Sequence, residues 1–178
     1  PRTKDIQQPS GERGVRYVDY LRVTHPTDYH ELVGPATHFV SHEWGGPGRP
    51  GGSFTNLALT LCEESDLAEL KGEAAPFFWV DIFAINQYWG TTQCNADMPD
   101  WDDMAPDKGF ERVIQSTGST LLFLDPWDGR IAGDEDDGSP QSPGALTRVW
   151  CLFELYHTLS RGNTLHVLFT RESKRQII

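Results

Sequence analysis

The chain has 178 residues, of which 38% are hydrophobic and 11% aromatic, with a net charge of −11 at pH 7 and three cysteines. That length suits one domain with a full core rather than two. The acidic balance speaks against a nucleic-acid surface, because phosphate-binding faces are normally basic, although it leaves room for a phosphate-bearing ligand in a local pocket.

Read in order, the chain begins "PRTKD", without Met, and residues 1–14 are polar with Pro and Gly, as in a frayed end. "VRYVDYLRV" is apolar enough to pack, as helix or strand, and "PTDYHELV" reads as a short helix opening at Pro26. Residues 1–34 form an N-terminal extension in this reading and 35–178 a single domain. "THFVSHEW", 37–44, reads as the first core strand, followed by a Gly/Pro-rich loop to Gly52. Ser53 can cap the next helix, in which Phe54, Leu57, Leu61 and Leu67 recur at helical spacing. "PFFWVDIFAIN", 76–86, is continuously apolar and β-rich, as a strand buried on both faces would be.

The stretch 87–108 is a long polar and aromatic loop carrying the acidic "DWDD". "GFERVIQSTG" predicts a helix over 109–118 and "TLLFLD" a third buried strand over 120–125. A second long loop contains "DEDD", Asp134 to Asp137. The spacing in "ALTRVWCLFELYHTLSRG" predicts a helix over 145–162 stopped by Gly162, and "TLHVLF", 164–169, reads as a fourth buried strand. The chain closes on "SKRQII", which reads as the end of a piece of a longer protein. No fifth strand or last helix is evident, unless Ile177-Ile178 opens that strand. No signal peptide or membrane-length apolar run is visible. Cys62, Cys94 and Cys151 form no CxxC pair, so a reducing, cytoplasmic setting is expected.

The alternation β-α-β-α-β-α-β predicts an α/β sheet of mainly parallel strands, with ligands beyond the strands' carboxyl ends. Those ends carry "SHEWGG", "INQYWG" and "LDPWDG", each with a Trp. Ser41-His42-Glu43 holds triad residue types, but neighbours on a strand point to opposite faces. "GGPGRPGG" matches neither the Walker loop nor GxGxxG. His38 and His42 share a strand face without an evident third ligand, so no metal is expected. Cys151, without a His partner in sequence, reads as a buried structural thiol.

"TRVWCLFEL", 147–155, places Glu154 one helical turn after Trp150, so the two share a face, with His157 and Arg161 further along it. The stripe Val149, Leu152, Phe153, Tyr156 and Leu159 is then the expected core side. Periodicity alone favours a solvated Glu154 paired with Arg148 or His157. The alternative is a catalytic acid in an aromatic-walled pocket.

"RVWCLFEL" resembles a helix motif of TIR (Toll/interleukin-1 receptor) domains of the plant immune-receptor type. "HFVSHEWGG", "FWVDIFAINQ" and "TLLFLDPW" are similar to that family's first three strands. The same strings resemble the related fungal HET (heterokaryon incompatibility) domain. Its Ser-x-x-Trp-Gly motif fits Ser41, Trp44 and Gly45. Its Trp-Val/Ile-Asp-x-x-x-Ile-Asn-Gln motif fits Trp79, Val80, Asp81, Ile85, Asn86 and Gln87. Its Arg-x-Trp-x-Leu-x-Glu motif fits Arg148, Trp150, Leu152 and Glu154.

The resemblance covers roughly residues 37–170 and implies a flavodoxin-like sheet of order 2-1-3-4-5 with helices on both faces. It also implies a protein of innate immune or cell-death signalling. Many relatives are NAD+ glycohydrolases, some of them cyclising, and others are assembly modules without catalysis. In the enzymes a helix carboxylate is essential, which corresponds to Glu154, with a Trp four residues earlier at Trp150. NAD+ is then the substrate, without a metal. Trp44, Trp89 and Trp127 are candidate stacking walls beside Trp150. Asp81, Asn86 and Gln87 are candidates to orient the loop or bind ribose, and Ser41 and His42 end the first strand beside the site. TIR enzymes often carry a basic residue just after the first strand; here Glu43 and Trp44 stand there, and Arg49 or Arg148 is the candidate substitute. Expected partners are NAD+, further copies of the domain and other domains of a longer protein, with neither nucleic acid nor membrane among them.

Overall fold

The computed structural model describes residues 16–43, 54–85, 106–124 and 144–177. In chain order the elements are α1 (Tyr17–Thr24), α2 (Tyr29–Leu32), β1 (His38–Ser41), α3 (Phe54–Leu70), β2 (Phe78–Trp79) and α4 (Asp81–Ala84). They continue with α5 (Pro106–Thr117), β3 (Ser119–Leu124), α6 (Gly144–Thr147), α7 (Val149–Ser160), β4 (Thr164–Phe169) and α8 (Arg171–Ile177).

The four strands form one all-parallel sheet in the order β2-β1-β3-β4. Val40 of β1 lies opposite Leu121 and Ser41 opposite Leu122, while β3 and β4 pair along their whole length. Two strands of parallel neighbours require crossovers, and helices supply them on both sides of the sheet. Side chains alternate across each strand. Val40, Leu121, Phe123 and Leu168 pack with Leu57 and Leu61 of α3. Leu122 and Leu124, on the other face, pack with Ala145 and Cys151. The architecture is therefore the doubly wound, flavodoxin-like α/β arrangement expected from the alternation of elements. The chain leaves β1 for β2 on one side while β3 lies on the other. The carboxyl end of β1 is thus the topological switch point, where sheets of this kind leave a crevice.

Several local expectations are corrected. The apolar run 76–86 is not one strand: only Phe78 and Trp79 are β, and the chain turns into α4 at Asp81, whose Oδ1 accepts the Ile82 N–H at 2.7 Å. In α3 the buried positions are Leu57, Thr60 and Leu61, while Phe54 and Leu67 are exposed. The β4 strand lies at the sheet edge, so Thr164, His166 and Val167 are exposed rather than buried on both faces. The predicted helix 145–162 is two helices, divided at Arg148, whose extended backbone (φ −95°, ψ 128°) interrupts the turn. Ile177 ends a helix and does not begin a fifth strand. Two expectations hold: Gly118 and Gly162 follow α5 and α7 with φ of +65° and +72°, left-handed values that suit glycine. The undecided segment before Thr24 is helical, and Tyr17 packs against Phe83 of α4 with ring centroids 5.2 Å apart.

The largest correction concerns α7. The stripe expected to face the core faces outwards. Cys151, Glu154 and Thr158 are its buried residues, whereas Val149, Leu152, Tyr156 and Leu159 are exposed and Phe153 is half-buried. The helix lies against the sheet through a small and polar stripe: Cys151 packs with Leu122 and Leu124, while Glu154 and Thr158 lie over strand positions that are themselves polar. Thr120 and Ser41 present hydroxyls, and each finds a partner on α7.

Candidate active site at the end of the first strand

Ser41 is the last residue of β1, and alternation turns its side chain away from the α3 core and towards α7. Glu154 meets it there. Ser41 Oγ donates to Glu154 Oε2 at 2.5 Å, joining residues 113 apart in sequence. Ser41 is 1% exposed and Glu154 7% exposed. Removing a carboxylate from water disfavours its charged form. Burial accordingly pushes the Glu154 carboxyl from the ordinary 4.5 up to about 8, opposed by the Ser41 hydrogen bond and the Arg148 charge and reinforced by the negative charge of Asp81. At pH 7 the enclosed group is therefore mostly the neutral acid.

Below it, Thr158 Oγ1 donates to the Glu154 carbonyl at 2.8 Å and lies 2.8 Å from Thr120 Oγ1 on β3. The Thr158 hydrogen is committed to that carbonyl, so Thr120 is the donor between the two hydroxyls. These bonds fix the turn of α7 that carries Glu154 against the sheet.

Four more chemistry-bearing residues surround the pair. His42 Nε2 lies 3.8 Å from Asp81 Oδ1, both side chains being largely enclosed. Burial lowers the His42 pKa below its ordinary 6.5, with Asp81 opposing that shift and Arg148 adding to it. Cys151 Sγ lies 3.5 Å from the His42 carbonyl oxygen. Burial, followed by the Glu154 charge, raises the Cys151 thiol to about 11, so it is no nucleophile at neutral pH. The charge of Arg148 acts on Glu154, His42 and Cys151 alike, which sets the guanidinium beside the cluster at the start of α7.

The structure thus brings together Ser41, His42, Asp81, Arg148 and Glu154 from the expected residues. Trp150 stands differently. It shares a turn with Glu154, yet Glu154 is enclosed while Trp150 is 48% exposed and leans towards α5. Its ring stacks on Phe110 at 6.3 Å and 25°. Phe110 in turn meets Trp79 and Phe39 edge-on at 5.2 and 6.0 Å. An aromatic row therefore crosses this face of the sheet to Trp150, whose ring meets Phe153 edge-on at 6.1 Å. Trp44, Arg49, Asn86, Gln87, Trp89 and Trp127 lie outside the described residues. His157 and Arg161 belong to another group: both face Glu111 of α5, at 3.7 and 2.5 Å, and clasp the two helices. His38 hydrogen-bonds through Nδ1 to Thr37 Oγ1 at 2.8 Å and takes no part in the site.

Sequence reasoning missed the closeness of Cys151 to the site and the contribution of Trp79 and Phe110 to the aromatic row. A signal existed for the first: Cys151, Glu154 and Thr158 follow the i, i+3, i+7 spacing of one helix face.

Fold and site together define a doubly wound α/β protein with a buried carboxyl at its switch point, held by a strand hydroxyl and flanked by a histidine–aspartate pair and an arginine. No protein-family model, curated protein or solved structure matches the chain. No described helix is long and apolar enough to cross a membrane.

Proposed function

We propose that the chain is a TIR/HET-like NAD+ glycohydrolase, with Glu154 as its catalytic carboxylate, acting in an immune or cell-death signalling protein of the cytoplasm. The observation that carries this reading is the Ser41–Glu154 hydrogen bond at the switch point, which directs the one buried carboxyl of α7 towards the ligand end of the sheet. The nicotinamide ring of NAD+ is cationic. Brought beside Glu154, it favours the ionised carboxylate and offsets the effect of burial. The carboxylate can then accept hydrogen bonds from ribose hydroxyls and stabilise the positive charge that develops on the sugar. The C1′–N bond breaks with its electron pair on nitrogen, so nicotinamide leaves neutral and needs no general acid. Water, or a second nucleophile of the substrate in a cyclising enzyme, then bonds to C1′ and gives up its proton. Trp150 offers a half-open indole for stacking. Arg148 supplies a positive charge for phosphate, and His42 and Asp81 flank the ribose position.

Measuring NAD+ loss and nicotinamide release by the wild-type chain and Glu154→Ala tests this. The proposal expects loss of at least 100-fold in the variant, and unchanged turnover would overturn it. The assay belongs at high protein concentration or on a clustering support, so that a site completed by assembly is not missed.

A second reading is favoured by the same burial. A neutral, enclosed Glu154 bonded to Ser41 also serves as a stitch between α7 and β1 in a non-catalytic signalling module that self-associates. Self-association without NAD+ loss under those conditions would select it.

A further inference from the structure

NAD+ cleavage leaves one proton without a destination, because the water that bonds to C1′ must give it up. Glu154 is poorly placed to take it: its Oε2 already accepts from Ser41, and its part is to hold the ribose hydroxyls. A second group stands across the end of β1. Glu154 reaches that end from α7, through Ser41. His42 instead turns to Asp81 at the start of α4, and the next residues, Ile82 and Phe83, pack with the core on the α3 side. The two sides share one field, since the Asp81 charge acts on Glu154 and the Arg148 charge acts on His42. A ribose held over the end of β1 therefore lies between a carboxyl group and an imidazole. In glycoside hydrolysis such a flanking pair leaves room for water opposite the carboxyl group.

His42 is in the state a proton acceptor needs. Burial holds its pKa below the ordinary 6.5, so at pH 7 the ring is neutral, with one N–H and one lone pair. A hydrogen bond to the Val40 backbone favours the charged ring, which makes the imidazole N–H the donor and the Val40 carbonyl the acceptor. The other ring nitrogen of the neutral form carries the lone pair. Asp81 Oδ1, 3.8 Å from His42 Nε2, stabilises the imidazolium once it forms. That same oxygen accepts the Ile82 N–H at 2.7 Å, which fixes the carboxylate at the start of α4. We infer that His42 is the general base of this site, with Asp81 as its positioning residue. The inference rests on the NAD+ reading and supplies the step that completes it. As the water oxygen bonds to C1′, one of its O–H bonds breaks and the proton passes to the His42 lone pair. The electron pair of the C1′–N bond goes to nicotinamide. The products are nicotinamide, ADP-ribose and a protonated His42, which returns its proton to solvent.

Nicotinamide release from NAD+ by the clustered full chain, with and without sodium azide, tests it. Azide bonds to C1′ without a proton to lose, so it needs no base. His42→Ala should be about 100-fold slower than the wild type in water, the usual scale of general-base catalysis. Azide should restore most of that loss and yield an azido sugar nucleotide. Asp81→Asn keeps an acceptor for the Ile82 N–H but loses the charge, so it should slow release about tenfold and recover in azide as well. Where His42→Ala loses its native circular dichroism, His42→Gln, which keeps an N–H for the Val40 carbonyl, takes its place. A His42 variant as fast as the wild type overturns the inference and leaves the NAD+ reading standing. So does a slow, folded variant that azide does not restore, because a merely structural loss would not respond to it. A clustered wild-type chain that releases no nicotinamide overturns both.

Discussion

The two faces of the sheet are built on different chemistry. On the α3 side, Val40, Leu57, Leu61, Val80, Leu121, Phe123 and Leu168 form a continuous apolar core. On the α7 side a smaller apolar cluster of Leu122, Leu124, Ala145 and Cys151 is interrupted by the buried hydroxyls of Ser41 and Thr120, which Glu154 and Thr158 of the helix meet. Apolar burial on the first face is non-directional and supplies driving force. The polar pairs on the second contribute little net stability each but cost much when half-broken. The contrast separates the face with the larger, uninterrupted apolar core from the face that holds a buried carboxyl at the end of β1.

Mutation sharpens the contrast. Leu121→Ala, in the middle of the apolar face, should cost about 2–5 kcal/mol in denaturant unfolding, the usual range for a buried leucine. The polar face should instead reveal itself through pH. A carboxyl raised from 4.5 to about 8 keeps its proton in the folded chain where the unfolded chain has lost it. The folded state then binds more protons across that window, so stability falls as pH climbs from about 4.5 towards 8 and is level above it. The difference should be on the order of a few kcal/mol. Glu154→Gln should remove this slope, read from melting temperatures at pH 5 and pH 8.5; an equal slope in both proteins would return Glu154 to water.

Thr158→Val should cost about 1–2 kcal/mol, because it leaves the buried Thr120 hydroxyl without the acceptor it has at Thr158. The gentlest test is chemical. Cys62 is exposed and Cys151 buried with its thiol raised to about 11, so at pH 8 iodoacetamide should modify Cys62 and leave Cys151 intact until the chain unfolds, as peptide mapping would record.

Much of the framework was legible in the residues. The runs around Phe39, Leu121 and Leu165 each mark a strand, and Gly118 and Gly162 mark helix ends. The boundary at Asp81 was not legible, because a two-residue strand and the helical turn after it are both apolar and too short to show a period. On α7 the spacing sorted the residues into faces but assigned them in reverse. Apolar side chains normally seek the core; here the sheet beneath offers Ser41 and Thr120, and the helix turns its polar stripe to meet them. That inversion also explains why Glu154 could be read as solvated: its partner lies on β1, at a distance in sequence that no local pattern reveals. Trp150, one turn away, follows the aromatic row of Phe110 instead.

The central claim is that the buried carboxyl at the switch point carries the chemistry. The most direct measurement is the pH profile of nicotinamide release from NAD+, at high protein concentration, for the wild-type chain and Glu154→Gln. The carboxylate of the free protein appears as pH approaches its pKa, so kcat/KM of the wild type should rise about tenfold per pH unit below 8 and then level. Glu154→Gln should be at least 100-fold slower throughout, with its circular dichroism unchanged. Equal release from the two proteins, or none from a clustered wild-type chain, would contradict the account.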